Sequence, residues 1–193
     1  MKKIGLTGGI GSGKSTVSKV FKLFGIPIYN SDEISKKILL NNKIIQEKII
    51  HVLGEGIIQN DKINTTKISE IIFQDKKKLD AINIILHSEV KKDFNHWLVK
   101  QKGSYVIKES AIIFESKIES TFDKIILVKS SENTRIKRIM ERDNKNKNLI
   151  LSIIKNQYSN TFLSKKADYI INNDSNDLLI PQIIKLHEKI KCL

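Results

Sequence analysis

Residues Gly8 to Ser15 read GGIGSGKS, followed by Thr16. This fills every fixed position of G-x-x-x-x-G-K-[ST], a spacing whose chemistry is the grip on a polyphosphate. Glycines let the backbone fold into a concave nest with its N–H groups turned inward, towards phosphate oxygens. A helix starting at Lys14 adds its positive N-terminal end. Lys14 reaches the β- and γ-phosphates, and the Ser15 hydroxyl is a ligand for Mg²⁺. The sequence thus assigns Gly9, Gly11, Ser12, Gly13, Lys14, Ser15 and Thr16 to a site for ATP, with Mg²⁺ as its companion ion.

Two carboxylates stand at places where such a site needs them. Asp32 follows the second predicted strand and fits either a base that orients an attacking hydroxyl or an N-cap for the next helix. Glu109 ends the strand SYVIKE and either holds Mg²⁺ through water, a place Asp32 could take instead, or simply closes the strand. Arginine marks a third place. Of 34 Lys and Arg residues, only Arg135, Arg138 and Arg142 are Arg, and all fall within RIKRIMER. A guanidinium fork matches phosphate oxygens two at a time, which Lys cannot copy. At i, i+3 and i+7 the three share one helical face, pointing to phosphate contact or to ion pairs with Glu132 or Glu141.

These residues need elements to hold them. Short apolar runs at 2–7, 26–30, 104–110, 124–130 and 168–173 read as strands. Helical spacing occupies 14–25, most of 34–101, the arginine segment, 149–163 and the stretch from about 176. Strands alternating with helices predict an α/β fold with a five-stranded parallel sheet covered on both faces. The long helical insert and the polar DNKNKN (143–148) are candidate lobes. A net charge of +13 favours polyanions, yet the lysines are scattered and aromatic residues make up only 6%, which argues against a nucleic-acid partner. One cysteine, Cys192, and no apolar run of spanning length suit a cytoplasmic protein away from the membrane.

The opening stretch IGLTGGIGSGKSTVSKVFKLFGIPIYNSD resembles that of the dephospho-CoA kinase family, a glycine loop followed by a strand ending in Asp. GEGIIQNDKIN, INIILHSEV (with Asn83 and His87), KESAIIFES (with Phe114 and Glu115), RIKRIMERD and NQYSNTFLSKKADYIINND are similar to later family motifs, in the same order. The resemblance implies a P-loop kinase fold with core segments 1–33, 102–138 and 166–193, a helical acceptor-binding insert at 34–101 and a lid at 139–165. It implies transfer of phosphate from MgATP to the ribose 3′-hydroxyl of 3′-dephospho-CoA by a monomer or weak homo-oligomer. Asp32 takes the place of the catalytic aspartate, and Lys14 and Arg142 complete the catalytic set. Arg138 and Arg142 belong to the ATP site, Arg142 from the lid, and Asp32, His87, Glu109 and Lys165 to the acceptor site.

Four positions depart from the family pattern. Ser88 and Ala111 replace prolines, implying slacker turns or altered helix ends. Thr65 and Leu163 replace basic residues, a loss that either weakens acceptor binding or is offset by neighbours such as Lys67, Lys165 or Lys166. Another small-acceptor P-loop kinase is the rival reading, and a nucleotide-dependent RNA-binding module a more distant one.

Overall fold

The computed structural model describes residues 1–143 and 146–193, except for the side chain of Phe73. Residues 144 and 145 of the predicted polar segment lie outside the described residues. The chain divides into two compact units, residues 1–30 with 101–193, and residues 31–100.

The first unit carries a parallel sheet of β1 (Lys2–Thr7), β2 (Ile28–Asn30), β5 (Tyr105–Glu109), β6 (Lys124–Lys129) and β7 (Tyr169–Asn172), in the order β2-β5-β1-β6-β7. Burial on both faces is written into β6. Ile126 and Val128 join a core with Ile4, Leu6, Val17, Phe21 and Ile183, beneath α1 (Lys14–Leu23) and α9 (Leu179–Lys191). Ile125 and Leu127 join Ile113, Phe114 and Leu163 on the opposite face. Successive side chains of a strand point to opposite faces, so a run of apolar residues feeds two cores at once. Register fixes the site's rim: Glu109 is level with Leu6 on one side and Asn30 on the other.

Three boundaries differ from the sequence expectation. Helix α1 stops at Leu23 because Gly25 turns left-handed, φ 75°, and its N–H returns to the Lys22 carbonyl at 2.9 Å. Strand β2 starts at Ile28 rather than Ile26. Pro27 has no N–H to donate, although its carbonyl still accepts from Ile107 at 3.0 Å. The helix expected over 149–163 is two, α7 (Lys147–Lys155) and α8 (Asn160–Lys166), because the Ser159 Oγ accepts from Phe162 N at 3.2 Å and caps a new start. The arginines lie on α6 (Glu132–Asp143).

The second unit is helical: α2 (Ser31–Asn41), α3 (Lys43–Leu53), α4 (Thr65–Gln74) and α5 (Lys76–Leu98). Polar N-caps set its boundaries, with Asn42, Asn64 and Asp75 each accepting from the first turn they precede. Ile82, Leu86, Val90 and Phe94 recur every four residues along α5 and are buried. Leu39, Ile45, Ile49, Ile57 and Ile68 join Ile82 and Leu86 to form the unit's core. The sequence reading missed a hairpin, β3 (Ile58–Gln59) with β4 (Lys62–Ile63). Asn60 and Asp61 turn it with φ of 51° and 57°, the positive values a two-residue type I′ turn needs. Ser88 sits inside the 23-residue α5. The altered helix end expected there does not occur.

Candidate active site

The glycine loop joins β1 to α1 and is held from behind by side chains. Arg135 Nε donates to the Ile10 carbonyl at 2.8 Å, and its Nη2 to Gln157 Oε1 at 2.9 Å. That same Gln157 oxygen accepts from Ile10 N at 3.0 Å. Both polar groups of the Ile10 peptide are therefore taken. One turn on, the Ser12 carbonyl accepts from Asn173 Nδ2 at 2.8 Å and, more distantly, from Arg138 Nη1 at 3.5 Å. Ser130 Oγ donates to the Asn173 carbonyl at 2.6 Å. Asp174 accepts from Ser131 N at 3.0 Å, so the loops after β6 and β7 brace each other and the glycine loop together. Those N–H and hydroxyl donors hold the Asp174 carboxyl below its usual value.

Glycine is required here by crowding as much as by torsion. A Cβ on Gly9 would collide with the Arg135 guanidinium. Gly13, at φ 94°, would meet the Asn173 amide. Lys14 is buried and donates from Nζ to the Gly8 carbonyl at 2.8 Å, curled over the loop it serves. Ser15 and Thr16 are exposed in the first turn of α1.

The three arginines do not act alike. Arg135 is 5% exposed and works on loop backbone; burial lowers its pKa, opposed by the field of Glu132. Arg138 is half-buried between Ser12 and Ser130. Arg142 is exposed and paired with Asp143 at 2.6 Å, a hydrogen bond that raises its pKa. Among the described residues neither Glu132 nor Glu141 forms an ion pair with them, although Glu132 acts on Arg135 through space.

Glu109 is buried at the end of β5, where its Oε2 accepts from Ser18 Oγ at 2.7 Å. Its carboxylate and the Ser15 hydroxyl are oxygen donors, the ligand type that a hard cation such as Mg²⁺ takes. Ser12 Oγ is buried without a protein partner among the described residues, consistent with a pocket built for a polar ligand. Leu163 is 2% exposed in the core, so its place in the chain is apolar packing and not a surface position awaiting a charge. Lys165 and Lys166, in the last turn of α8, are exposed.

The second unit carries the other predicted residues. Asp32 lies in the first turn of α2, exposed, two residues beyond the end of β2. His87 is half-buried on α5. Thr65 opens α4, directly after the Asn64 cap. Sequence reasoning gave no role to Gln157, Asn173 or Ser18. The first two sit inside the quoted NQYSN…INND stretch, where a signal was present.

The sequence model of the family described as dephospho-CoA kinase matches residues 2–178. The chain belongs to that family. A dephospho-CoA kinase of Fusobacterium nucleatum is 42% identical over 174 residues, covering 90% of each chain, and one of Bacteroides fragilis is 36% identical over 185 residues, 95% of this chain and 90% of the other. Among solved structures, a dephospho-CoA kinase from Campylobacter jejuni superposes with a TM-score of 0.69 at 25% identity, covering 98% of this chain and 97% of the other. A Thermus thermophilus protein reaches a TM-score of 0.87 at 22% identity, covering 97% and 96%, and shares the fold. Shikimate kinase from Bacteroides thetaiotaomicron, TM-score 0.51 at 17% identity over 100% and 99% of the chains, shares the fold as well. Among the described residues no helix is long and apolar enough to cross a membrane.

Proposed function

We propose that this family member transfers the γ-phosphoryl group of ATP to the ribose 3′-hydroxyl of 3′-dephospho-CoA, giving coenzyme A and ADP. The observation that carries the reading is a complete phosphate loop, braced by Arg135, Gln157 and Asn173, in a chain matched by the family from residue 2 to residue 178.

In this reading the loop amides from Gly9 to Gly13 and the Lys14 ammonium hold the β- and γ-phosphates, with Ser15 and Thr16 at the start of α1. Ser15 and Glu109 would hold Mg²⁺, which supplies charge neutralisation between phosphate oxygens. Asp32 accepts the 3′-hydroxyl proton as the new P–O bond forms and the bond to the β-phosphate bridging oxygen breaks. Arg138 and Arg142 stabilise charge on the transferring group. Arg142 gives up an exposed pair with Asp143 worth about 0–1 kcal/mol, so the exchange costs little. His87, Glu109 and Lys165 contact the acceptor. The reading makes the protein cytoplasmic, monomeric or weakly self-associating, and without a nucleic-acid partner.

The test is ADP release from MgATP with 3′-dephospho-CoA, AMP, CMP, gluconate or no acceptor. Stimulation by 3′-dephospho-CoA alone is expected. Stimulation by a different acceptor would keep the kinase and discard its substrate. Salt-sensitive RNA binding with no stimulation by any acceptor would overturn both.

A further inference from the structure

We infer that Arg135 is a positioning residue whose buried charge, set behind the loop at Gly9, is completed electrostatically by the polyphosphate of the bound nucleotide. The inference rests on the ATP-dependent reading above.

Arg135 is 5% exposed, and the groups that receive its side-chain hydrogen bonds are neutral: the Ile10 carbonyl at 2.8 Å and Gln157 Oε1 at 2.9 Å. No carboxylate pairs with it among the described residues. Glu132, three residues earlier on α6, acts on it only through space. A buried cation without a counter-charge is costly, and such groups are normally paired. The guanidinium lies so close to the Gly9 Cα that a side chain there would overlap it, so the charge lies directly against the backbone of the glycine loop. A polyphosphate held by that loop brings the missing anion into a poorly screened region, where the attraction is strong. The same guanidinium, with Gln157, occupies the N–H and C=O of Ile10 and so fixes the loop's curvature before the nucleotide arrives.

The charge and the bracing role separate experimentally. Arg135→Met keeps the volume and removes the charge; Arg135→Lys keeps the charge and loses the fork. Thermal unfolding of each full-length variant is followed alone and with MgADP, MgATP or AMP.

The nucleotide-free Arg135→Met protein is expected to unfold no earlier than the wild type, since an apolar replacement relieves a buried lone charge. Its affinity for MgADP and MgATP falls roughly tenfold, about 1.4 kcal/mol, and its KM for ATP rises while the acceptor KM is unchanged. Arg135→Lys retains most of the affinity. A merely structural role gives the opposite pattern: an earlier transition for Arg135→Met with the MgADP shift intact, and that result overturns the inference. If Arg135→Met does not fold, an Arg135→Lys protein that folds but has lost MgADP affinity tenfold overturns it as well. A wild type that shows no shift with any nucleotide removes the ATP-dependent reading itself, and the inference falls with it.

Discussion

A methyl group added at Gly9 would meet the Arg135 guanidinium, and one at Gly13 the Asn173 amide, whereas one at Gly56 of the helical unit would find nothing within 4 Å. In the proposed reading the loop grips phosphate with main-chain groups, so its shape is its chemistry and close neighbours hold that shape. The helical unit carries its candidate chemistry on side chains, Asp32 and His87, displayed by helices with an ordinary apolar core. A backbone site tolerates almost no added atom. A side-chain site tolerates many, provided the named residue stays and the core beneath it holds.

The comparison breaks most visibly at Asp32. Asp32→Asn is nearly isosteric at an exposed position, so the fold is expected to stand while kcat falls about 10²–10⁴-fold, the range for losing a positioned base. Steady-state ADP release with circular dichroism as the folding control checks this, and a variant with near-normal kcat would move the helical unit out of the chemistry. Next in size is the core of that unit. Ile49 is fully buried among Leu39, Ile45 and Ile82, and Ile49→Ala is expected to cost about 2–5 kcal/mol in urea unfolding.

The glycines sharpen the contrast directly. Gly9→Ala is expected to destabilise by about 1–3 kcal/mol, as overpacking does, and to weaken ATP binding. Gly56→Ala should stay within about 0.5 kcal/mol of the wild type. Equal effects at the two sites in paired denaturation curves would end the distinction. The smallest expected effect is at Asp174, whose carboxylate is favoured by the Ser131 N–H and the neighbouring hydroxyls. Its folded pKa lies below the unfolded value, so its contribution is present above about pH 4 and fades as pH falls through the folded pKa. Asp174→Asn is therefore less stable than the wild type at pH 7, and the gap narrows towards pH 2, as urea midpoints at several pH values will show.

How far the sequence carried the fold and the site depended on where the determining contacts lie. The loop, the strands ending in Asn30 and Glu109, and the helical run from 34 to 101 were readable because periodicity and fixed spacing are local signals. The arginine cluster was readable as unusual but not as divided labour. That Arg135 turns inward to Ile10 depends on Gln157, 22 residues further along. Leu163 looked like a missing surface charge in sequence and is a buried contact of Ile113 and Leu127, because the burial of one residue on a short helix is a tertiary fact. The β3–β4 hairpin has two residues per strand, too few to show alternation. Its Asn60-Asp61 turn was the only available clue.

The strand order also sets a timetable for the chain as it is made. β1 is central, yet its partners are β5 and β6, and β2 pairs only with β5. When residues 1–30 have emerged from a ribosome they hold two strands that cannot pair with each other. The contiguous segment 31–100 can assemble from local helical contacts while they wait. At about 5–20 residues per second, the roughly 80 residues from Asn30 to Glu109 take about 4–16 s to appear. Throughout that interval the apolar first strand, with its glycine loop, has no sheet to join, and it is the part of the nascent protein most in need of a chaperone's shelter.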